Sequence, residues 1–151
     1  MRTLFVLGRV VFGGFFLVSG LHHFSERKQL SEHAAAKGVP KADAVVSATG
    51  AMLVIGGASV VTGMRPRRGL ATLVAFLVPV SLQMHRFWDV ADAEHRTNEM
   101  TQFMKNLALA GAALALMQIE EPWPASLDRA RETRDELYVR VGGREIRALP
   151  Y

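Results

Sequence analysis

Polar and apolar positions in this chain are sorted into blocks rather than interleaved. Residues 44–64 and 69–84 contain no Asp, Glu, Lys or Arg, residues 4–24 contain only Arg9, and residues 100–119 contain only Lys105. A helix of a soluble domain keeps a charged face along its whole length, because that face meets water. A helix that crosses the hydrocarbon core, about 30 Å thick, needs about 20 predominantly apolar residues. The pattern therefore predicts four membrane spans near 4–24, 44–64, 69–87 and 100–119, forming an all-α integral membrane four-helix bundle. The first apolar block follows a charged start, but it is longer than the h-region of a signal peptide and reads as an uncleaved first helix.

The intervening segments are short. In the loop 25–43, the stretch Ser31-Glu32-His33-Ala34-Ala35-Ala36-Lys37-Gly38 predicts a short helix with a Ser start and a Gly stop. Arg65-Pro66-Arg67-Arg68-Gly69 forms a tight basic turn between spans two and three, and residues 89–99 form an acidic loop. After Glu121 comes a stiff Pro122-Trp123-Pro124 exit, with an aromatic suited to the membrane interface. Residues 126–136 predict a short surface helix. Tyr138-Val139-Arg140-Val141 and Arg144-Glu145-Ile146-Arg147-Ala148 around Gly142-Gly143 predict a hairpin. The expected organisation is a four-span bundle over 1–121 and a short charged C-terminal tail over 122–151.

Charge sets the orientation. An even number of spans puts both termini and the turn 65–69 on one side, with Arg2, Arg65, Arg67, Arg68, Arg129, Arg131 and Arg134. The opposite side has Arg27, Lys28, Lys37 and Lys41 in one loop and a net acidic second loop. The positive-inside rule then places both termini in the cytoplasm of a multi-pass inner-membrane protein.

Of the 151 residues, 50% are apolar and 21% charged, and the mean hydropathy of +0.15 hides the block pattern. With no cysteine, thiol nucleophiles, Cys-ligated zinc and iron–sulfur clusters are excluded. A net charge of +4 is no argument for nucleic acid, because the basic residues flank apolar spans.

Ionisable and amide side chains at membrane depth are costly and direct attention to function. In the N-in orientation spans one and three finish at the outer surface. That end gathers His22 and His23, then Gln83, His85, Arg86 and Trp88, with Lys105 and Asn106 at the start of span four. Asp89, Asp92, Glu94 and His95 lie in the adjoining loop and His33 in the other. A ligand site formed by His85, Trp88, Lys105 and Asn106, with His23 at its edge, is one reading, and His85 and Trp88 are expected three apart on one helical face. Ordinary interface residues, with Asn106 and His85 as an interhelix hydrogen bond, is the other. No HxxxH spacing is present, and no metal site is expected. At the opposite end, Arg9, Gly13, Phe16, Gly20 and His23 form one helix stripe. Arg9 is expected to face the bundle as a structural clamp paired with Glu120 or through Gln118.

Three local patterns resemble the DoxX-like family of small membrane proteins. They are Leu7-Gly8-Arg9 followed by Gly13-Gly14-Phe15-Phe16-Leu17-Val18-Ser19-Gly20, then His85-Arg86-Phe87-Trp88, and then Phe103-Met104-Lys105-Asn106-Leu107-Ala108-Leu109-Ala110-Gly111. The likeness covers about residues 4–119. Where the family often has an acid near the start of span two, this chain reads Ser47-Ala48-Thr49-Gly50. The resemblance implies a four-helix membrane bundle. Some members look like subunits of quinone-linked sulfur-oxidising enzymes, others like membrane parts of assemblies that handle oxidative stress.

Three functions follow, in order of preference. The first is a non-catalytic membrane subunit or anchor whose cytoplasmic tail recruits a soluble redox protein. The second is a quinone-interacting oxidoreductase subunit with its site at the outer mouth, and the third a small transporter. The lipid bilayer is the expected partner in all three, and an oligomer is compatible with each.

Overall fold

In a computed structural model, which describes residues 2–142 and the side-chain surroundings of residues 3–134, the chain is helical throughout. The helices are α1 (Arg2–Ser25), α2 (Arg27–Ala36), α3 (Ala42–Thr62), α4 (Pro66–Met84), α5 (Ala93–Leu116) and α6 (Leu127–Gly142), with a 3-10 turn at Phe87–Asp89. Thr3–Ser25, Ala42–Thr62 and Pro66–Asp89 are long and apolar enough to cross a membrane. They fall where charge exclusion predicts spans one to three.

The α1–α3 seam is set by glycine. The expected stripe is buried: Arg9, Gly13, Phe16 and Gly20 all face inward. A Cβ on Gly57 would lie 2.6 Å from the carbonyl oxygen of Gly13, and one on Gly20 would lie 2.8 Å from that of Gly50. Two small-residue contacts one after the other along antiparallel helices let the backbones approach closely, the favoured packing mode in lipid. α4 crosses back on α3 where Gly69 meets Ser59 and Gly56 meets Leu73. The core contains Phe16, Leu53, Val60, Leu70, Leu73 and Leu77, with Ala110 and Ala113 of α5. Outward-facing Leu4, Val11, Val18, Ile55 and Leu82 are exposed, as lipid-facing side chains should be.

Four expectations are corrected. The short helix begins at Arg27 rather than Ser31, because the Ser31 hydroxyl bonds back to the Arg27 carbonyl at 2.7 Å inside the helix. It ends by Gly38, which turns at φ +80°. The third span does not continue as helix to Trp88. α4 stops at Met84, so His85 and Trp88 do not share a helical face. The fourth helix starts seven residues earlier than the apolar block, at Ala93, where Asp92 caps it by accepting from the His95 N–H at 2.8 Å. Finally, the hairpin is replaced on its first strand by α6, which runs to Gly142. The Ser126 hydroxyl accepts from the Arg129 N–H at 3.2 Å and starts this helix. Once a turn is nucleated, extending it by a residue is easier than closing an isolated hairpin. The second strand, at 144–148, lies outside the described residues.

Residues 122–126 do not leave the bundle. Trp123 is fully buried in the core and Ser126 is 2% exposed. The Glu121 carboxylate accepts from the Arg67 N–H at 3.0 Å, which ties this segment to the start of α4.

Candidate functional site

Glu99 sits in the second turn of α5 and is only 9% exposed. Three elements converge on it. Lys37, just past the end of α2, donates from Nζ to Oε1 at 2.7 Å. His85, at the end of α4, places Nδ1 2.8 Å from Oε2. His95, one turn earlier on α5, brings Nε2 to 3.6 Å from Oε1. The Gln83 side-chain amide donates to the Lys37 carbonyl at 2.9 Å and holds the ends of α2 and α4 together.

Electrostatics follow from this geometry. Burial on its own would raise the Glu99 carboxyl, since a carboxylate is poorly solvated there. Hydrogen bonds from Lys37 and His85, together with their positive charge, outweigh burial and hold it below the usual carboxylate value. The result is an anionic centre held by an ammonium on one oxygen and an imidazole on the other.

Beside this centre is an aromatic shelf. Phe87 and Trp88 meet edge to face at 5.1 Å, and Phe103 joins them at 5.5 Å from Phe87 and 5.9 Å from Trp88. Trp88 is 52% exposed. Phe103 lies four residues after Glu99, hence directly above it on α5. The stripe continues through half-buried Asn106 to buried Ala110.

The residues expected at this end are thus partly assembled. His85 and Trp88 are brought into one neighbourhood, and Asn106 faces the same side of α5 two turns beyond Glu99, past Phe103. Lys105 is exposed and its ammonium donates to the side-chain carbonyl of Gln102, away from the cluster. His23 places Nδ1 2.8 Å from the Ser19 carbonyl and packs its ring against Phe76 at 6.0 Å, on the α1 side. Glu99 and Lys37 were not singled out by sequence reasoning. The Asp92 cap was the signal: a helix begun there puts Glu99 in register with Phe103, Asn106 and Ala110. Among the described residues, no group of three His, Asp or Glu side chains is placed to hold a metal ion.

Arg9 is 3% exposed and faces protein, as its stripe requires, but its contacts differ from those expected. Its Nη2 donates to the Ala125 carbonyl at 3.0 Å, and its guanidinium lies 5.9 Å from the Trp123 ring centre. Trp123 is stacked edge-on to Phe5 at 5.2 Å. Among the described residues, neither Gln118 nor Glu120 bonds to it. The chain turns back after α5, so Ala125 and Trp123, rather than the acids before them, reach the start of α1.

Comparison with known proteins gives one finding. No curated protein matches the chain, and no solved structure matches it. A family model, DoxX, matches residues 4–86, which runs from the start of α1 through the end of α4 to the His85-Arg86 pair. The third motif of the resemblance, around Lys105 and Asn106, lies beyond the matched residues. The match takes in more than half of the chain and all of the α1–α3–α4 packing, and the chain belongs to the DoxX family.

Proposed function

We propose that this DoxX-family membrane protein is a subunit of an oxidoreductase assembly that binds a quinone-type, lipid-soluble carbonyl ligand beside Glu99. The observation that carries the reading is the His85–Glu99–Lys37 cluster, with contacts of 2.7 and 2.8 Å, directly under the Phe87–Trp88–Phe103 shelf. A quinone headgroup needs an aromatic surface to lie on, donors for its carbonyl oxygens and a route for protons. The shelf supplies the first, Lys37 and His85 the second, and the His85–Glu99 pair the third. Asn106, on the same stripe, is placed to orient the ring. In this reading α5 is the fourth span through its apolar half, Met100–Leu116. The arginine turn 65–68 marks the cytoplasmic side, with both termini there, in the inner membrane.

Titration of the detergent-purified protein with a short-chain quinone tests the site. Wild type should bind it, and His85→Gln and Glu99→Gln should each weaken binding by about tenfold or more, since each removes a charge-assisted hydrogen bond. Wild-type affinity in both folded variants overturns the reading.

The α6 helix favours a second reading, that of a membrane anchor. Its charged residues Arg131, Glu132 and Arg134 are exposed on a segment pinned to the bundle by Trp123 and Ser126. A soluble redox protein docking on α6 would be held at a fixed distance from the membrane. Removing residues 127–151 should then leave membrane insertion intact and abolish co-purification of that redox protein, while quinone binding persists.

A further inference from the structure

At the end of the bundle opposite Glu99, an open groove of about 550 Å³ runs between α3 and α4. That volume falls within the roughly 300–1,000 Å³ range of small-molecule sites. Its floor is apolar, formed by Val54, Ile55 and Ala58 along α3 and Thr72 on α4. Thr72 does not make the floor polar, because its hydroxyl is already donated to the Arg68 carbonyl at 3.0 Å. Ile55 is 65% exposed, so the groove opens sideways from two helices of membrane-spanning length and composition. Its upper rim is basic: Arg65 and Arg68 line it, and both are exposed.

The rim is preformed. Ser59 donates to the Met64 carbonyl at 2.6 Å, with the Arg65 carbonyl also in reach at 3.1 Å. Gly63 at φ +70° and Arg65 at φ 47° complete the tight turn. Arg65 sits at the N-cap of α4, whose helix dipole adds positive potential at the same place. Among the described residues neither Arg65 nor Arg68 takes part in an ion pair. The nearby Glu121 carboxylate is engaged with the Arg67 backbone N–H.

Apolar length below and two exposed arginines without an ion-pair partner at the rim above match one kind of molecule. We infer that the α3–α4 groove binds an anionic phospholipid, with an acyl chain along Ile55 and Ala58 and the phosphate held by Arg65 and Arg68. Basic sites between membrane helices act on headgroups in this way, and each arginine near the surface contributes a several-fold gain in affinity. The groove is separate from the Glu99 cluster, so the two assignments stand or fall independently.

Native mass spectrometry in mild detergent, with phosphatidylglycerol and phosphatidylcholine offered at equal loading, tests the inference. Wild type should retain one phosphatidylglycerol in clear excess over phosphatidylcholine. The double variant Arg65→Gln, Arg68→Gln should lower that retention by about tenfold or more. Ala58→Phe, which fills the floor and keeps both arginines, should lower it as well. Lys28→Gln, at the other end of the bundle, should leave it unchanged. The inference is overturned if the two lipids are retained equally, if the double variant retains phosphatidylglycerol like wild type, if added inorganic phosphate displaces the lipid, or if folded Ala58→Phe retains it fully.

Discussion

His85 Nδ1 and Glu99 Oε2 lie 2.8 Å apart, across the break where α4 ends and α5 has yet to gather its apolar half. The pair closes that junction from both sides, and Lys37 closes it from α2. Three chain segments far apart in sequence thus share one carboxylate, which makes Glu99 both the tie of this end of the bundle and its only inward-facing acid among the described residues.

The Glu99 carboxyl should give stability a characteristic acid limb. Its folded value lies below the usual one, so its contribution is complete above the unfolded carboxylate value of about 4.3 and is lost as pH falls through the folded value. Lys37, His85 and His95 are the charged or titratable groups that face it. Glu99→Gln should lower stability at neutral pH by about 1–3 kcal/mol, and should lose less than wild type on acidification below about pH 4. Parallel melting curves for both proteins would contradict this.

Lys37 and Glu99 should be energetically coupled. A double-mutant cycle with Lys37→Met and Glu99→Gln should return a coupling of about 1–3 kcal/mol in detergent unfolding, since both groups are partly shielded from water. A coupling near zero would mean that the 2.7 Å contact behaves like an ordinary surface pair.

The glycine seam should discriminate sharply among glycines of the same helix. Gly13→Ala would press a methyl within 2.8 Å of the Gly57 carbonyl, with Val61 equally close, so the α1–α3 pair must separate. A loss of about 2 kcal/mol or more is expected from such overpacking. Gly14→Ala meets nothing within 4 Å and should be neutral or mildly stabilising. Thermal unfolding of the two variants checks the contrast.

Trp123 should act as the fastener of the segment after α5. Trp123→Ala empties a fully buried site beside Phe5 and Arg9 and should cost about 3–5 kcal/mol. Limited trypsin digestion should then cut at Arg129 and Arg131 well before the bundle is attacked. Unchanged digestion would show that α6 is held by other contacts.

Much of this structure is legible from where charge is missing. Exclusion of ionisable groups from 4–24, 44–64 and 69–84 marks α1, α3 and α4, because lipid penalises charge over a whole span. The spacing of Arg9, Gly13, Phe16 and Gly20 shows the buried face of α1 for the same reason. Hydropathy is a poor guide where a helix crosses from water into apolar surroundings. The first two turns of α5 are charged and resemble a loop, so Glu99 is hidden until Asp92 is recognised as a cap. Tertiary contacts decided the rest. Nothing local in Pro122-Trp123-Pro124 says that the indole turns inward, and the alternation in 138–141 fits a strand until a neighbouring helix turn claims it.

Arg9 and its carbonyl partner Ala125 are 116 positions apart in the chain. During synthesis α1 therefore emerges with a guanidinium whose acceptor has yet to be translated. The helix enters the membrane with an unfinished contact, and only the closing segment supplies it, together with the Trp123 ring. A chain that stops before residue 123 would leave the Arg9 guanidinium, in the second turn of its first helix, without its carbonyl acceptor and without its indole neighbour. One bond thus joins the first helix to the segment after the last helix of the bundle, and it can form only when the chain has come back to where it began.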